Sequence, residues 1–289
     1  MKISSLFEQG KTVFSFEIFP PKKTSSVETI YDTLEELKDL KPAFISVTYG
    51  AGGSMTEAGN SKTCEIASII KNKYDMIPVA HLTCVNSSKA QVEAELKALK
   101  ENGIENILAL RGDINSDIPP CSDFRYASDL VKFIKEYGDF NISGACYPEG
   151  HAEAEDNIQD ILNLKNKIEA GVSHLMSQLF FDNSYFYEFR DKARLAGISV
   201  PIEAGIMPVT NKSQIERMVS MCGASIPQKL AKIMQRYENE PEELKKAGID
   251  FAIEQIIDLI SNGVDGIHLY TMNNPYVARK ISESIGSLL

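Results

Sequence analysis

The sequence alternates along its length between short runs rich in β-branched and aromatic residues and longer segments with helical periodicity. This alternation is typical of a parallel sheet whose strands are joined by helices. The strand candidates lie at residues 13–19, 43–49, 77–83, 106–110, 142–147, 174–180, 201–206 and 266–270. That number of strand and helix units suits a closed barrel. We therefore predict an α/β fold, a single (β/α)8 TIM barrel that spans residues 1–289.

Helices are predicted most clearly at residues 27–40, 89–102, 158–170 and 241–261. A doubly wound open sheet is the alternative fold, but its Gly-x-Gly-x-x-Gly fingerprint is missing after the first strand, where the sequence has PPKKTSS. No linker or low-complexity tract divides the chain. We therefore expect one domain.

Composition narrows the classes of function. The formal charge of -10 argues against a nucleic-acid partner, because phosphate backbones are bound by clustered Lys and Arg. The five cysteines are scattered, so we expect reduced thiols. The beginning of the chain lacks the apolar core of a signal peptide, and no apolar stretch of about 18 residues occurs, so we expect a cytoplasmic protein without a membrane partner. The histidines lack metal-binding spacing, and we predict no metal.

Glu17 is an acidic residue within the apolar strand VFSFEIF. Because side chains alternate along a strand, Glu17 shares a face with Val13 and Ser15, while Phe14 and Phe16 face the helices. Barrel enzymes carry their chemistry at the carboxyl ends of the strands. Burial there disfavours the charged form of a carboxylate, which makes Glu17 a candidate general acid. A buried carboxylate paired with a lysine is the alternative interpretation.

Polar residues end most of the other predicted strands. Arg111, Gly112 and Asp113 follow the apolar strand NILAL, and Asp113 either contributes to a site or only closes a turn. His81 lies inside a strand, where a histidine is commonly a satisfied core residue. The glycine-rich segment 50–54 could bring backbone amides to a ligand or form a turn or a mobile lid. These positions together predict a site at the carboxyl end of the barrel.

A polar stripe lies on the helix predicted at residues 158–170. Asp160, Asn163 and Lys167 are spaced at i, i+3 and i+7, beside the apolar face of that helix. Such a stripe is usually a solvated surface. It could alternatively face a ligand.

Eight motifs, in this order, resemble those of methylenetetrahydrofolate reductases: FSFEIFPPK, SVTYGAGG, HLTC, ALRGD, YASDL, CYPEGH, LNLKNKIEAG and QLFFD. The resemblance covers essentially the whole chain, and it implies a single catalytic domain, residues 1–289, without the regulatory domain of the animal enzymes. It implies a (β/α)8 barrel that holds FAD and takes electrons from NADH or NADPH. It also implies reduction of 5,10-methylenetetrahydrofolate to 5-methyltetrahydrofolate. Ping-pong kinetics are expected, because one flavin face serves nicotinamide and folate in turn.

The resemblance assigns roles residue by residue. Glu17 matches the family's general acid, and Asp113 matches a catalytic carboxylate between flavin and folate. Gln178 matches a residue shared by folate and nicotinamide, Thr48 a further nicotinamide contact, and Gln214 a further folate contact. The implied flavin-binding residues are Thr48, Tyr49, Ala51, His81, Leu110, Arg111, Gly112, Asp113, Tyr126, Ala127, Ala145, Tyr147, His151, Asp160 and Lys167.

Two positions depart from the family pattern. Asn274 stands where relatives commonly carry an arginine that contacts the folate tail, and Arg279 is the nearest cation that could replace it. Met218 occupies a position that is aromatic in some relatives. The expected substrate is therefore a folate whose tail is held by another group.

Three functions remain open from the sequence. The first is a stand-alone reductase, expected by analogy to be a homo-oligomer. The second is a flavin- and folate-binding subunit of a larger complex, which receives electrons from a partner protein. The third is a pterin-dependent methyltransferase barrel that binds folate without flavin. The ability of the isolated chain to bind flavin and to accept electrons from NADH separates them.

Overall fold

Eight parallel strands close into a barrel in the computed structural model, which describes residues 1–21, 28–49, 61–113, 121 and 123–289. Each strand pairs with its neighbours in chain order, and the last strand pairs with the first. This topology confirms the predicted (β/α)8 barrel. The strands are β1 (Val13–Ile18), β2 (Ile45–Val47), β3 (Pro78–Thr83), β4 (Asn106–Leu110), β5 (Asn141–Cys146), β6 (His174–Ser177), β7 (Ile202–Ile206) and β8 (Gly266–Tyr270).

Helices follow the strands, and the connection between β7 and β8 holds several of them. The α-helices are α1 (Glu28–Leu37), α2 (Lys62–Asn72), α3 (Lys89–Glu101), α4 (Ala127–Tyr137), α5 (Asn157–Glu169), α6 (Asn183–Leu195), α7 (Lys212–Cys222), α8 (Gln228–Arg236), α9 (Pro241–Ser261) and α10 (Pro275–Ile285). A 3-10 helix at Ile3–Gln9 precedes β1, and shorter 3-10 turns lie at Lys38–Leu40 and Gly286–Leu288. Among the described helices, none is both long and apolar enough to cross a membrane.

The predicted bounds are closest where the pattern is regular. The strands at 106–110 and 266–270 and the helix at 241–261 are confirmed to the residue. The strand predicted at 174–180 ends earlier, at Ser177. Its remaining apolar residues are buried by helices instead of the sheet: Phe180 stacks on Phe186 of α6, with ring centroids 5.3 Å apart. The apolar run therefore does not correspond to a longer strand.

The two faces of β1 meet different surroundings. Phe14, Phe16 and Ile18 belong to the large core between the strands and the surrounding helices. Val13 instead packs with Phe44 and Ile3 in a smaller apolar cluster that closes the amino end of the barrel. This arrangement confirms the predicted alternation, and it directs residues on the Val13 face into the barrel.

Gly248 marks a close approach between α9 and the chain that follows β7. A Cβ atom at this position would lie 1.7 Å from the carbonyl oxygen of Val209, far inside van der Waals contact. The obstacle is backbone and cannot rotate away. Only glycine therefore allows α9 to pack at this distance from the segment that leaves β7.

We predict that Gly248→Ala destabilises the protein by at least about 1–3 kcal/mol, the usual cost of overpacking a core. Urea unfolding followed by circular dichroism measures the change. Gly286→Ala is the matched control, because Gly286 has helical dihedrals and a Cβ atom there would meet nothing within 4 Å. It should be neutral or stabilising by less than about 1 kcal/mol. Equal stability of the two variants would contradict the packing argument.

Candidate active site

The carboxyl ends of the strands surround a cavity of about 900 Å³, within the usual range for ligand pockets. It brings together Glu17 near the end of β1, Asp113 after β4 and Gln178 after β6, three of the residues that the sequence proposed for chemistry and substrate. Met218, which departs from the family pattern, also lines it. Its lining includes further residues predicted to bind cofactor, namely Thr48, Tyr49, His81, Leu110, Arg111, Gly112, Ala145, Tyr147 and His151.

A second cavity of about 350 Å³ adjoins the first. The two share lining residues at the ends of β4 and β5, including Arg111 and Tyr147. The smaller cavity adds the remaining described cofactor candidates: Tyr126, Ala127, Asp160 and Lys167. The polar stripe of α5 therefore faces a cavity, not only solvent. Together the cavities form one elongated cleft.

Not every predicted residue lies in this cleft. Gln214 begins α7 and is half-buried, but it is not among the described residues that line either cavity. Ala51 and the glycine-rich segment 50–54 lie outside the described residues. Asn274 caps α10, where its side chain accepts a hydrogen bond from Val277 N (3.3 Å). Arg279 donates to the carbonyl of Glu36 in α1 (3.1 Å), so its guanidinium is engaged there.

Glu17 is held in place through its backbone. Its carbonyl accepts hydrogen bonds from Thr271 Oγ1 (2.6 Å) and from Thr271 N (3.2 Å), just beyond β8. Asn273 then bridges the backbone of Phe19, donating through Nδ2 to the carbonyl (2.8 Å) and accepting from the amide at Oδ1 (3.0 Å). Asn273 has a left-handed φ of 52°, which asparagine tolerates better than most residues. The sequence does not predict these bonds between Asn273 and Phe19, although it shows that polar residues follow β8.

The side chain of Glu17 sits between two histidines. Its Oε2 lies 3.5 Å from His81 Nε2 and 3.6 Å from His268 Nε2, and 19% of the side chain is exposed. The lysine partner considered from the sequence is not found among the described residues. Burial lowers the pKa of His81 to about 4, which keeps this ring neutral at physiological pH. Glu17 thus faces neutral His81, not a fixed cation.

His81 is not the satisfied core histidine that a strand position suggests. Its Nε2 is buried and, within the described part of the chain, has no hydrogen-bond partner. Tyr270, also in the cavity wall, donates its hydroxyl to the carbonyl of Ser177 (2.8 Å), and burial raises its pKa well above the ordinary value. A buried nitrogen without a partner facing a cavity indicates a place where a ligand can complete the hydrogen bonds.

Two cations lie along the cleft. Arg111 forms a bidentate ion pair with Glu153, with N to O distances of 2.5 and 2.7 Å. Lys167 is partly buried and donates to the carbonyl of Ala145 (2.7 Å), and burial lowers its pKa. Asp160 accepts from the His151 amide (3.2 Å), and burial raises its pKa. Guanidinium, ammonium and aromatic groups in one cleft suit a long anionic ligand with a planar ring system.

Hydrogen bonds to the backbone hold the side-chain amide of Gln178 in one orientation. Its backbone amide donates to Cys146 O (2.7 Å), and its Oε1 accepts from Leu179 N (2.8 Å). With the oxygen held by backbone, the amino group of the side chain is the part available to a ligand. In the described part of the chain, no cluster of three or more His, Cys, Asp or Glu residues could hold a metal ion.

A polar layer missed by the sequence analysis lies beneath Glu17. Glu203, His174 and His268 are almost completely buried inside the barrel. Ser15 joins Glu203 to His268, and His174 contacts Glu203 directly. The only signal available was that Ser15 shares the inner face with Glu17. The partners on other strands depend on the stagger of the closed sheet.

The fold and the cavity together are typical of a barrel enzyme, with polar side chains gathered at the carboxyl ends of the strands. The family model described as "Methylenetetrahydrofolate reductase" matches residues 2–286. The chain belongs to the methylenetetrahydrofolate reductase family.

Curated relatives agree with this assignment. The chain is 36% identical to the 5,10-methylenetetrahydrofolate reductase of Pectobacterium carotovorum, over 96% of this chain and 91% of that protein. It is 36% identical to the Escherichia coli enzyme of the same name, over 96% and 92%. It is 37% identical to methylenetetrahydrofolate reductase (NADH) 1 of Arabidopsis thaliana, over 94% of this chain and 48% of that longer protein.

One solved structure shares the architecture. A Clostridium thermocellum protein described as binding two copies of 5-methyl-5,6,7,8-tetrahydrofolic acid superposes with a TM-score of 0.64. It is 14% identical, and the match covers 100% of this chain and 99% of that chain. At this identity the likeness shows the fold alone.

We predict that His81 makes stability depend on pH. Its folded pKa of about 4 is below the ordinary 6.5, so the unfolded chain binds the proton more tightly. The contribution of neutral His81 to the free energy of unfolding is therefore fully present above about pH 6.5. It is lost as the pH drops toward 4, by about 3 kcal/mol in all. Urea unfolding of wild type and His81→Asn at several pH values tests this. The variant should lose most of the slope in this window, and identical slopes would contradict the assignment.

Proposed function

We propose that this protein reduces 5,10-methylenetetrahydrofolate to 5-methyltetrahydrofolate, with FAD as its cofactor and NADH or NADPH as the electron donor. One observation carries the proposal. Glu17, Asp113 and Gln178 line a single cavity that shares wall residues with the smaller cavity, in a chain that matches this family over its length. We further propose that it acts in the cytoplasm as a homo-oligomer.

The residues of the cleft fit the proposed cofactor. Lys167 provides positive charge for a diphosphate, and Arg111 adds its charge if the ligand replaces Glu153 in the present ion pair. Tyr147 provides an aromatic wall where the two cavities meet. The buried Nε2 of His81 can hydrogen-bond to a polar ring edge. When bound, the flavin supplies the chemistry that carries hydride from nicotinamide to folate. The protein residues bind and orient the reactants and move the proton.

Glu17 is the proposed proton donor. A proton on its carboxyl group can pass to a nitrogen of the folate's five-membered ring, which opens that ring to an iminium cation. Burial keeps the ring of His81 neutral at physiological pH, so this neighbour places no fixed positive charge beside Glu17.

Asp113 and Gln178 complete the proposed substrate site. Asp113 carries a negative charge at the opposite side of the mouth, where it can stabilise the cationic iminium. Gln178 presents its amide to folate or nicotinamide in turn, which agrees with ping-pong kinetics. Support for NADH comes from the name of the Arabidopsis relative, and support for folate comes from the ligand named for the Clostridium structure.

Glu17→Gln tests the proposal through its two half-reactions. In the wild type, we expect NADH to bleach the purified flavoprotein under anaerobic conditions and methylenetetrahydrofolate to restore the colour. In the variant, bleaching should stay within about twofold of wild type. Folate-dependent reoxidation should fall at least about 100-fold, the usual contribution of a general acid. Stopped-flow absorbance measures both steps.

Glu188→Gln is the matched control, because Glu188 is an exposed residue of α6 that pairs only with Lys192 among the described residues. It should leave both half-reactions unchanged. A wild-type flavoprotein that NADH does not bleach, but that a reduced partner protein does, would favour the electron-transfer subunit. A folded, colourless preparation would favour a methyltransferase barrel. Equal loss of both steps in Glu17→Gln would contradict the acid role.

Asp113→Asn should slow folate turnover about tenfold or more and raise the flavin reduction potential. Removal of a nearby negative charge makes electron uptake easier, by about 20–30 mV for an interaction of about 1 kcal/mol. Potentiometric titration of the holoprotein measures the shift. Asp191→Asn, at an exposed position of α6, makes the same charge change on the outer surface and should leave the potential as in wild type. An unchanged potential in Asp113→Asn would contradict its placement beside the flavin.

A further inference from the structure

A chain of hydrogen-bonding groups runs through the barrel interior below Glu17. Ser143 Oγ and His174 Nδ1 are 2.8 Å apart, and His174 Nε2 lies 2.6 Å from Glu203 Oε2. Ser15 Oγ donates to Glu203 Oε1 (2.8 Å) and lies 2.7 Å from His268 Nδ1. The chain thus joins strands on opposite sides of the barrel.

The upper end of this chain lies beside Glu17, just beyond hydrogen-bonding distance. The other ring nitrogen of His268, Nε2, lies 3.6 Å from Glu17 Oε2 and 3.1 Å from Ser46 Oγ. One imidazole therefore stands between Glu17 and the Ser15–Glu203 pair, with one nitrogen toward each. Because imidazole can accept at one nitrogen while it donates at the other, this placement suits proton transfer.

The lower end of the chain is sealed. Glu203 and His174 are 0% exposed. The ring of Phe7 covers His174, with centroids 4.9 Å apart, and Phe44 packs against both His174 and His268. Gly266 leaves space for the carboxylate, since a Cβ there would lie 2.6 Å from Glu203 Cγ. Within the described residues, the chain meets the cavity only at its upper end, where Glu17 and the almost completely buried ring of His268 line the wall, so the chain can store a proton but has no second exit to solvent.

We propose that Glu17 and Glu203 share one proton through His268 and Ser15, which makes the buried Glu203 the proton store for the acid at the mouth. Glu203, Ser15 and His268 are then positioning residues, which act through Glu17. The functional part of this inference rests on the proposed role of Glu17, whereas the sharing of a proton does not.

The transfer balances without any change in electron count. Before the transfer, protonated Glu203 donates to Ser15 Oγ, Ser15 donates to His268 Nδ1, and the imidazole proton is on Nε2. The O–H bond of Glu203 breaks as Ser15 takes that proton, and Ser15 passes its own proton to His268 Nδ1, after which Ser15 donates to Glu203 Oε1 as in the structure. His268 releases the proton on Nε2 to a carboxylate oxygen of Glu17. One proton has moved to Glu17, one negative charge has moved to Glu203, and His268 has changed tautomer. Glu203 regains its proton from solvent by the reverse route through Glu17 when no ligand covers the cavity.

The groups that face the two carboxylates agree with this direction. Glu17 faces His81 of β3 and His268 and Tyr270 of β8, and burial keeps both His81 and Tyr270 neutral. Ligands that cover the mouth remove water from Glu17 and disfavour its carboxylate form, which draws the shared proton to it. Glu203 keeps its hydrogen bonds to Ser15 and His174 and can hold the negative charge.

Carbon-13 NMR of the full chain, labelled at the glutamate carboxyl carbon, tests the sharing without any ligand. Loss of a signal in Glu17→Gln and in Glu203→Gln assigns the two carboxyls. In the wild type, both signals should follow the same two-step titration, because coupled sites share their apparent midpoints. Independent single-step titrations would overturn the proposal, and this wild-type measurement does not depend on the folding of a core variant.

Ser15→Ala and Ser46→Ala form a matched pair. Each removes a fully buried hydroxyl from the same imidazole, but Ser15 lies on the route at Nδ1 and Ser46 lies off it at Nε2. Ser15→Ala should separate the two titrations, whereas Ser46→Ala should leave them coupled. Coupling that survives Ser15→Ala, or that both variants abolish equally, would overturn the route.

The kinetic arm uses the flavin-loaded protein. Ser15→Ala should slow folate-dependent reoxidation about tenfold and move its pH profile toward lower pH, because Glu17 must then take its proton directly from solvent. Flavin reduction by NADH should remain within about twofold. An unchanged pH profile would overturn the role of the store. If the wild type fails to reduce folate, the proposed function fails, while the NMR result still decides whether the proton is shared.

Discussion

Closure of the eight-stranded ladder is the constraint on which the rest of this structure depends. Because the last strand pairs with the first, every strand residue is committed to the interior or to the helices. The interior is therefore layered. Apolar residues such as Val13 and Phe44 fill the amino end, the Ser15 and Glu203 layer lies above them, and Glu17 stands at the mouth. The residues of each layer lie at a similar height along the barrel axis, and the three layers differ in polarity.

Much of the fold follows from local patterns. The strand at 106–110 and the helix at 241–261 are predicted to the residue, because apolar spacing and helix-end signals agree there. The strand predicted at 174–180 is too long, because burial of Phe180 by a helix gives the same apolar run as burial in a sheet. The separate helices α7 and α8 between β7 and β8 are not predicted from the sequence, although Gly223 ends α7 and Pro227 precedes α8.

The site is predictable where it depends on one strand end at a time. Glu17, Asp113 and Gln178 converge because carboxyl ends of parallel strands meet at one rim. Their relation to His268 and Glu203 is not predictable, since it depends on the stagger between strands distant in sequence. The contact of Arg279 is not predictable for the same reason. The sequence offers this residue as a substitute cation for the folate tail, whereas its guanidinium donates to a backbone carbonyl of α1. The family resemblance supplies roles, but only coordinates supply such neighbours.

Lys167 shows what the fold does before a ligand arrives. A lysine chain normally samples many rotamers, and fixing it costs about 2 kcal/mol of entropy. Here the methylene stem lies close to Gly144, where a Cβ atom would come within 3.3 Å of it, and the ammonium is anchored on the carbonyl of Ala145. Folding has already restricted this side chain. Any ligand that contacts this side chain would therefore meet a preorganised group, and its affinity would not be reduced by a second loss of rotational freedom.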